Sequence, residues 1–233
     1  MNKILLIITA LVTLSSGIFA QEPTTGKKMP SRFQAVPMAE AHMVQEGEGK
    51  NYCPKCGMTL PMFYKTNHVG DVNGTTHQFC SIHCLAETMH DKNVTHLKVV
   101  DTKSLKLIDA SNAWYVVGSS KAGTMSKVSK YAFNTKEDAQ DFSKEFGGEV
   151  FDFETTLSSV KKNLAKETAM IHKKQAMMAK KGKQMFTHMC RPIGEKFLTI
   201  AQAKSYIQKH EVCGKIKGKK LQAIALYLVS SQK

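Results

Sequence analysis

Hydrophobic and polar residues alternate along the first half of the chain in a pattern that predicts a hairpin, a helix and a returning strand. The pair Asn73-Gly74 is a strong hairpin-turn signal between two alternating segments, residues 63–72 and 75–79. Ser81 can cap a helix that runs to about residue 90, because a serine oxygen accepts from the first free backbone N–H groups. Residues 94–100 are then predicted to form a strand.

The segment from residue 113 to residue 153 repeats this order of elements. Its strands are predicted over 113–118, 127–133 and 150–153, and its helix over 135–145. Phe79 and Phe133 occupy equivalent places, because each ends a strand just before a helix. The fold class is therefore predicted as α+β, with two hairpin–helix–strand subdomains packed side by side over residues 51–154.

Beyond residue 154 the hydrophobic period becomes helical and the charge changes. The chain holds 33 Lys+Arg against 19 Asp+Glu, a net charge of +14. Residues 21–154 hold 15 basic and 16 acidic side chains, whereas residues 155–233 hold 17 basic and 3 acidic ones. The basic charge therefore belongs to a C-terminal extension, predicted as a basic amphipathic helical connector over 155–181 and short helices over 199–210 and 221–228.

The N-terminal residues predict export. Residues 1–20 have the pattern of a cleaved signal peptide: a cation at Lys3, an apolar run over 4–12, and small residues before a cleavage site after Ala20. Residues 21–50 lack apolar periodicity and are predicted as a flexible linker. A periplasmic protein does not meet cytoplasmic nucleic acid, so the basic extension is predicted to face an acidic protein or a membrane surface instead.

Six cysteines and 13 methionines give the chain a large supply of sulfur ligands. Four of the cysteines form two close pairs, Cys53 and Cys56 in CPKCGM and Cys80 and Cys84 in FCSIHC. The first spacing suits a tight turn and the second the first turn of a helix. Because two such pairs can close a tetrahedral site, the sequence predicts metal binding here.

The residues alone leave the chemistry of this cluster open. Four thiolates can hold a structural Zn²⁺, whereas thiolates together with thioethers favour Cu(I), and Met58 lies two residues past Cys56. A redox-active pair in CPKC is a third interpretation, although no clear strand precedes it, and simple disulfides are a fourth. Covalent haem is excluded, since Gly57 rather than histidine follows Cys56.

The other methionines and the nearby histidines divide into two groups. Met125 follows Gly123 in a predicted loop rather than on an apolar face, which favours a role as ligand. Packing in a core or an interface is predicted for the methionines of the extension, Met170, Met177, Met178, Met185 and Met189. His68, His77 and His83 are each predicted to be a surface or hydrogen-bonding histidine rather than a metal ligand.

Beyond the cysteines, a series of short motifs follows in order along residues 50–154. The motifs are CPKCGM before the hairpin, Ile108-Asp109-Ala110, WYVVGS from Trp114 to Ser119, Gly123-Thr124-Met125, Ala132-Phe133, Glu137-Asp138-Ala139 with Phe142, and Gly147-Gly148. This series resembles the NosL family, periplasmic copper-binding accessory proteins for the maturation of nitrous oxide reductase.

The resemblance implies two related α+β subdomains and a protein that is not an enzyme. It would bind Cu(I) and deliver it for the copper–sulfide site of nitrous oxide reductase, often through a membrane transporter complex. Carried over by motif, the implied copper ligands are Cys56, Met58 and Met125.

Two departures from the family pattern change this expectation. The lipid-attachment cysteine that usually follows the family's signal peptide is not seen here, and FCSIHC stands where many members have an Asp-rich stretch. FCSIHC looks more like the second half of a small treble-clef metal-binding module. We therefore expect Cys53, Cys80 and Cys84 to hold Zn²⁺ or copper in a second or merged site.

The end of the chain has a weaker resemblance. Residues 182–190 and the run LQAIALYL look like the first and last helices of a small c-type cytochrome, over a predicted domain of residues 182–233. The haem-attaching motif is absent, since Met189-Cys190-Arg191-Pro192 stands in its place. This interpretation leaves Cys190 and Cys213 free to form one structural disulfide.

Our hypothesis from the sequence is thus a periplasmic copper chaperone that passes Cu(I) on by ligand exchange. The alternatives are a four-cysteine zinc-binding module whose basic tail docks on an acidic partner, and a thiol–disulfide oxidoreductase acting on a copper protein.

Overall fold

The computed structural model of the 233-residue chain describes residues 32–232. The predicted signal peptide and the first part of the predicted linker lie outside the described residues. Within the described part, no helix combines the length and the apolar character needed to cross a bilayer.

The first subdomain is a four-stranded antiparallel sheet with one helix. Its elements are β1 (His68–Val72), β2 (Thr75–Phe79), α1 (Ile82–Asp91), β3 (Val94–Val100) and β4 (Leu107–Asp109). The order across the sheet is β2-β1-β3-β4, so the first strand of the hairpin is central. Asn73 and Gly74 both have positive φ, 50° and 75°, as a two-residue turn of type I′ requires.

The second subdomain has the same plan with one strand fewer. Its elements are β5 (Trp114–Val117), β6 (Lys130–Phe133), α2 (Lys136–Phe146) and β7 (Glu149–Asp152). Here too the first strand is central, since the order is β6-β5-β7. In both units the second hairpin strand lies on one side and the returning strand on the other, which confirms the predicted α+β class and the two hairpin–helix–strand subdomains.

Two predicted strands begin too early. The segment Leu60–Thr66 is a 3-10 helix, and β1 starts only at His68. Pro61 lies in its first turn, where a fixed φ suits a helix and the missing N–H costs nothing. At its end the buried Thr66 hydroxyl donates to the carbonyl oxygens of Phe63 and Cys80. The strand predicted over 127–133 begins at Lys130, because the residues before it remain in the loop.

The basic extension begins with one long helix, α3 (Phe153–Met189), followed by α4 (Ile200–Lys209) and α5 (Gly218–Ser230). Both short helices match their predictions. Helix α3 starts two residues before the predicted connector and passes residue 181 without a break. Its first turns bury Phe153, Leu157 and Val160 in the same core as Tyr115 of β5, so the extension is packed into the two-subdomain unit.

Gly182 lies inside α3, directly after the predicted end of the connector at residue 181. The residue faces α5, and a Cβ atom at this position would lie 1.9 Å from the carbonyl oxygen of Ala223. The glycine therefore allows the backbones of α3 and α5 to approach closely. Beyond it, a disulfide between Cys190 and Cys213 ties the end of α3 to the segment between α4 and α5, as the resemblance of the tail allowed.

The described part of the predicted flexible linker, residues 32–50, is packed on the fold. Gln34 and Gln45 are buried, at 2% and 7% exposure. The side chain of Gln34 donates to the carbonyl oxygen of Ala122, and that of Gln45 accepts from the backbone of Gln78 in β2. These partners lie far away in sequence, which is why composition alone indicated a tether.

Candidate metal centre

The first cysteine pair lies on a tight turn before the 3-10 helix. The Cys53 N–H donates to the carbonyl oxygen of Met58, and the Gly57 N–H donates to that of Cys53. Gly57 has a φ of 71°, a conformation that glycine adopts readily. A Cβ atom here would also lie 2.2 Å from the side chain of Ile200, so the turn packs directly against α4.

The second pair is positioned by the end of β2 and the start of α1. Cys80 directly follows β2, and the side chain of Ser81 caps the helix by accepting from the Cys84 N–H at 3.4 Å. This confirms the predicted cap. The Cys84 thiol then lies in the first helical turn, facing the same interior as the turn of the first pair.

The four thiols converge on one point. The sulfur atoms of Cys53, Cys56, Cys80 and Cys84 all lie within 4.8 Å of one another, and each residue is at most 3% exposed. The Sγ atoms of Cys56 and Cys80 are 3.4 Å apart, and those of Cys80 and Cys84 are 3.7 Å apart. Because Zn–S bonds of about 2.3 Å in a tetrahedron place sulfurs about 3.8 Å apart, this set fits a closed four-thiolate site.

Burial and mutual hydrogen bonding shift the pKa values of three of these thiols in different directions. Burial raises the pKa of Cys53, but the other three thiols hydrogen-bond to its sulfur and together hold the pKa well below its usual range. The pKa of Cys80 is raised well above its ordinary value by burial and by hydrogen bonding to Cys53 and Cys56. For Cys84, hydrogen bonding to Cys53 is the first cause of a similar rise.

Two polar side chains of the C-terminal helices reach the turn of the first pair. The buried Lys204 of α4 donates from Nζ to the carbonyl oxygen of Gly57 at 2.6 Å, and Gln222 of α5 donates from Nε2 to that of Cys56 at 3.0 Å. Burial lowers the pKa of Lys204 to about 8, while the charges of Cys56 and Cys53 act in the opposite direction. The extension therefore supplies a cationic group beside the thiols.

Met58 and Met125 lie next to the cluster rather than within its interior. Both are partly buried against the same core as the cysteines. Both also line an open cavity of about 270 Å³. Met125 has a φ of 58°, a left-handed conformation that is rare for a residue with a side chain and concentrates at functional sites.

Of the histidines near the cysteines, His68 and His83 make hydrogen bonds or ion pairs within the protein, whereas His77 packs against the ring of Phe79. His68 is buried between the Thr66 carbonyl oxygen and the Tyr115 hydroxyl, at 3.0 and 2.9 Å. Burial lowers its pKa to about 4, and the Thr66 carbonyl opposes that shift. His83 lies 3.3 Å from the carboxylate of Glu167 on α3, and burial lowers its pKa as well.

Sequence reasoning missed Lys204 and Gln222. A signal for Lys204 existed, because Ile200, Lys204 and Ile207 share one face of the α4 pattern, where a cation needs a partner. No comparable pattern identifies Gln222, whose contact with the turn depends on how α5 packs.

Fold and site together define a small α+β protein with a buried four-cysteine cluster, a candidate metal centre, between its first subdomain and a helical extension. The model of the NosL family matches residues 44–160, half of the chain, and the chain belongs to this family. A similar solved structure is that of the copper chaperone NosL from Shewanella denitrificans, with 26% identity and a TM-score of 0.39, covering 47% of this chain and 92% of that one. A comparison with curated proteins finds no significant match.

Proposed function

We propose that this protein is a periplasmic copper chaperone that binds Cu(I) and delivers it for the maturation of a copper enzyme, nitrous oxide reductase. The observation that carries the proposal is the placement of Met58 and Met125, whose side chains line an open cavity beside the buried sulfur cluster. Family membership and the copper chaperone with a solved structure support the same function. The protein has a delivery function and is not an enzyme.

Transfer of a metal by ligand exchange requires ligands that an incoming partner can reach. The four thiols are enclosed, whereas Met58 and Met125 border open space. Thioethers are soft ligands that suit Cu(I), and they carry no proton that competes with the metal. We therefore propose Met58 and Met125 as the exchangeable ligands. Cys56, which the family resemblance also implies as a copper ligand, is enclosed with the other three thiols.

The four-cysteine cluster supports a second candidate function, a zinc-binding interaction module. Its sulfur separations and complete burial fit a closed tetrahedral Zn²⁺ site. The two functions are compatible in one chain, since a structural metal can hold the first subdomain while copper exchanges outside it. Thiol–disulfide exchange has less support, because a reactive thiol needs access and each of these four is buried.

The proposed partners are nitrous oxide reductase or the membrane transporter that assembles its copper site. The exposed lysines of α3 offer a cationic surface for an acidic region of such a partner or for a membrane surface. Nucleic acid is not a proposed partner.

An anaerobic titration of the reduced protein with Cu(I) and Zn²⁺, each against a chelator of known affinity, tests the proposal. We expect one tightly bound Cu(I) whose affinity falls at least tenfold in the double variant Met58→Leu/Met125→Leu. Met38→Leu is the matched control, because Met38 is 58% exposed outside the cavity. If the protein binds zinc but retains no Cu(I), the zinc-binding interaction module is the better function. If it catalyses disulfide reduction and Cys53→Ser loses that activity, the thiol–disulfide oxidoreductase is favoured.

A further inference from the structure

The cavity that Met58 and Met125 line has a second wall, formed by helix α3. Two more methionines, Met170 and Met178, line this wall together with Glu167. The cavity also reaches Gln222 of α5. Four thioether side chains from three separate parts of the chain therefore border one space of about 270 Å³.

The α3 residues that line the cavity form one continuous stripe along the helix. The residues that it contributes to the cavity follow helical spacing on one face: Glu167, Met170, Ile171, Lys174, Gln175 and Met178. Met177 lies outside this stripe and is 53% exposed. The helix therefore presents Met170 and Met178 to the cavity, and Met177 provides a matched position that does not line it.

Core packing does not account for these side chains. Met185 packs against the core of the C-terminal helices, as predicted for the methionines of the extension. Met170, in contrast, is 39% exposed. An exposed thioether at the edge of an open cavity is available to a soft metal ion such as Cu(I).

Contacts within the chain also set the walls of this cavity. The side chain of Gln222, which lines it, donates from Nε2 to the carbonyl oxygen of Cys56 and so ties α5 to the turn that precedes Met58. In addition, the loop carrying the left-handed Met125 is tied to α3, because the Ser126 hydroxyl donates to the Glu167 carboxylate at 2.6 Å.

We propose that Met170 and Met178 are copper ligands, and that with Met58 and Met125 they form an all-thioether Cu(I) site distinct from the four-cysteine cluster. The family match ends at residue 160, so this chain supplies half of the site from its own extension. The proposal rests on the copper-binding function above and deepens it. The cavity wall carries the Glu167 carboxylate together with the side chains of Lys127 and Lys174, so the thioethers rather than charge select the ion.

The test is a titration of the full reduced chain, loaded with one equivalent of Zn²⁺ and labelled with ¹³C at the methionine methyl groups. Cu(I) is added anaerobically while the methyl resonances and the release of zinc are followed. We expect the signals of Met58, Met125, Met170 and Met178 to shift together without zinc release, and that of Met177 to stay in place. Because thioethers have no exchangeable proton, the Cu(I) affinity should change less than threefold between pH 7 and pH 5.

Variants separate this proposal from the one on which it rests. The double variant Met170→Leu/Met178→Leu should lower the Cu(I) affinity at least tenfold, whereas Met177→Leu should not change it. Leucine keeps the volume and apolar character of methionine, so the variants remain folded. If Cu(I) shifts only Met58 and Met125 and the double variant binds normally, the further ligands are wrong and the chaperone function stands. If Cu(I) first expels zinc, or if no methionine signal moves, the thioether site is overturned.

Discussion

Lys204 and Gly57 are joined by a hydrogen bond of 2.6 Å between the Nζ atom and the carbonyl oxygen, although 147 positions separate them in the sequence. The bond places a buried amine of α4 on the turn that holds Cys53 and Cys56. The C-terminal helices are therefore part of the surroundings of the metal centre, and the net charge of +14 is only partly a property of the surface.

Replacing Lys204 with methionine should weaken zinc binding. Four thiolates around Zn²⁺ carry excess negative charge, and a cation beside them offsets it. The substitution removes this charge and leaves the Gly57 carbonyl oxygen without its donor. Because partners of this kind typically change metal affinity about 10–100-fold, we expect a loss of that size in competition with a chromophoric chelator.

Lys209→Met is the control for that measurement. Lys209 lies on the same helix but pairs with Glu48 at the surface. An equal loss of zinc affinity in both variants would show that general charge, rather than the position of Lys204, is responsible.

Replacing Gly182 with alanine should destabilise the protein, contrary to the usual effect of this change inside a helix. A Cβ atom would lie 1.9 Å from the Ala223 carbonyl oxygen, so α3 and α5 must move apart. We expect a loss of about 1–3 kcal/mol in the free energy of unfolding, measured by chemical denaturation. The neighbouring exposed Lys183→Ala should change it little, and a stabilised Gly182→Ala variant would contradict the packing of these two helices.

Acid should destabilise the fold through His68. Burial lowers its pKa from 6.5 to about 4, so below pH 6.5 the unfolded chain binds a proton that the folded chain refuses. Stability is therefore complete above pH 6.5 and falls as the pH approaches 4, by about 3 kcal/mol for this group.

His68→Gln removes that proton uptake and keeps a polar side chain beside Tyr115. The difference in unfolding free energy between wild type and variant, measured at pH 7 and pH 4, isolates the contribution of the histidine. A difference that is the same at both pH values would contradict a neutral buried His68.

Much of the fold can be predicted from local patterns. The Asn73-Gly74 turn, the caps Ser81 and Thr135 and the alternating strands are short-range signals, and the structure has each of them. Errors occurred where a distant contact decides the outcome. The boundary predicted at residue 181 lies inside α3, where Gly182 packs against α5.

The candidate site, too, could be predicted where its contacts are local and not where they are distant in sequence. The spacing of the two cysteine pairs predicts the cluster, because each pair is local to one turn or one helix start. The roles of Gln34, Lys204 and Gln222 depend on partners between 88 and 166 positions away. Met170 and Met178 follow a helical pattern that core packing explains equally well, so only the cavity distinguishes them from packed methionines such as Met185.

Under the proposed function, the basic face of α3 should guide the protein to an acidic partner. Lys161 and Lys162 are exposed, whereas Phe153 and Leu157 of the same helix are buried in the core, so removing the helix would also remove core residues. Charge reversal of the two lysines to glutamate is the appropriate change. We expect slower copper transfer with weaker salt dependence and unchanged Cu(I) affinity, because surface charges act mainly on the association rate.

Transfer of copper on mixing tests the central claim most directly. The full chain, loaded with one equivalent of Cu(I), is combined anaerobically with copper-free nitrous oxide reductase together with its assembly transporter, and copper in the enzyme is measured over time. We predict that copper reaches the enzyme faster than it dissociates into a chelator, and that Met58→Leu/Met125→Leu abolishes this advantage. Copper that remains on the chain, or that moves only at the rate of free dissociation, would contradict the chaperone function.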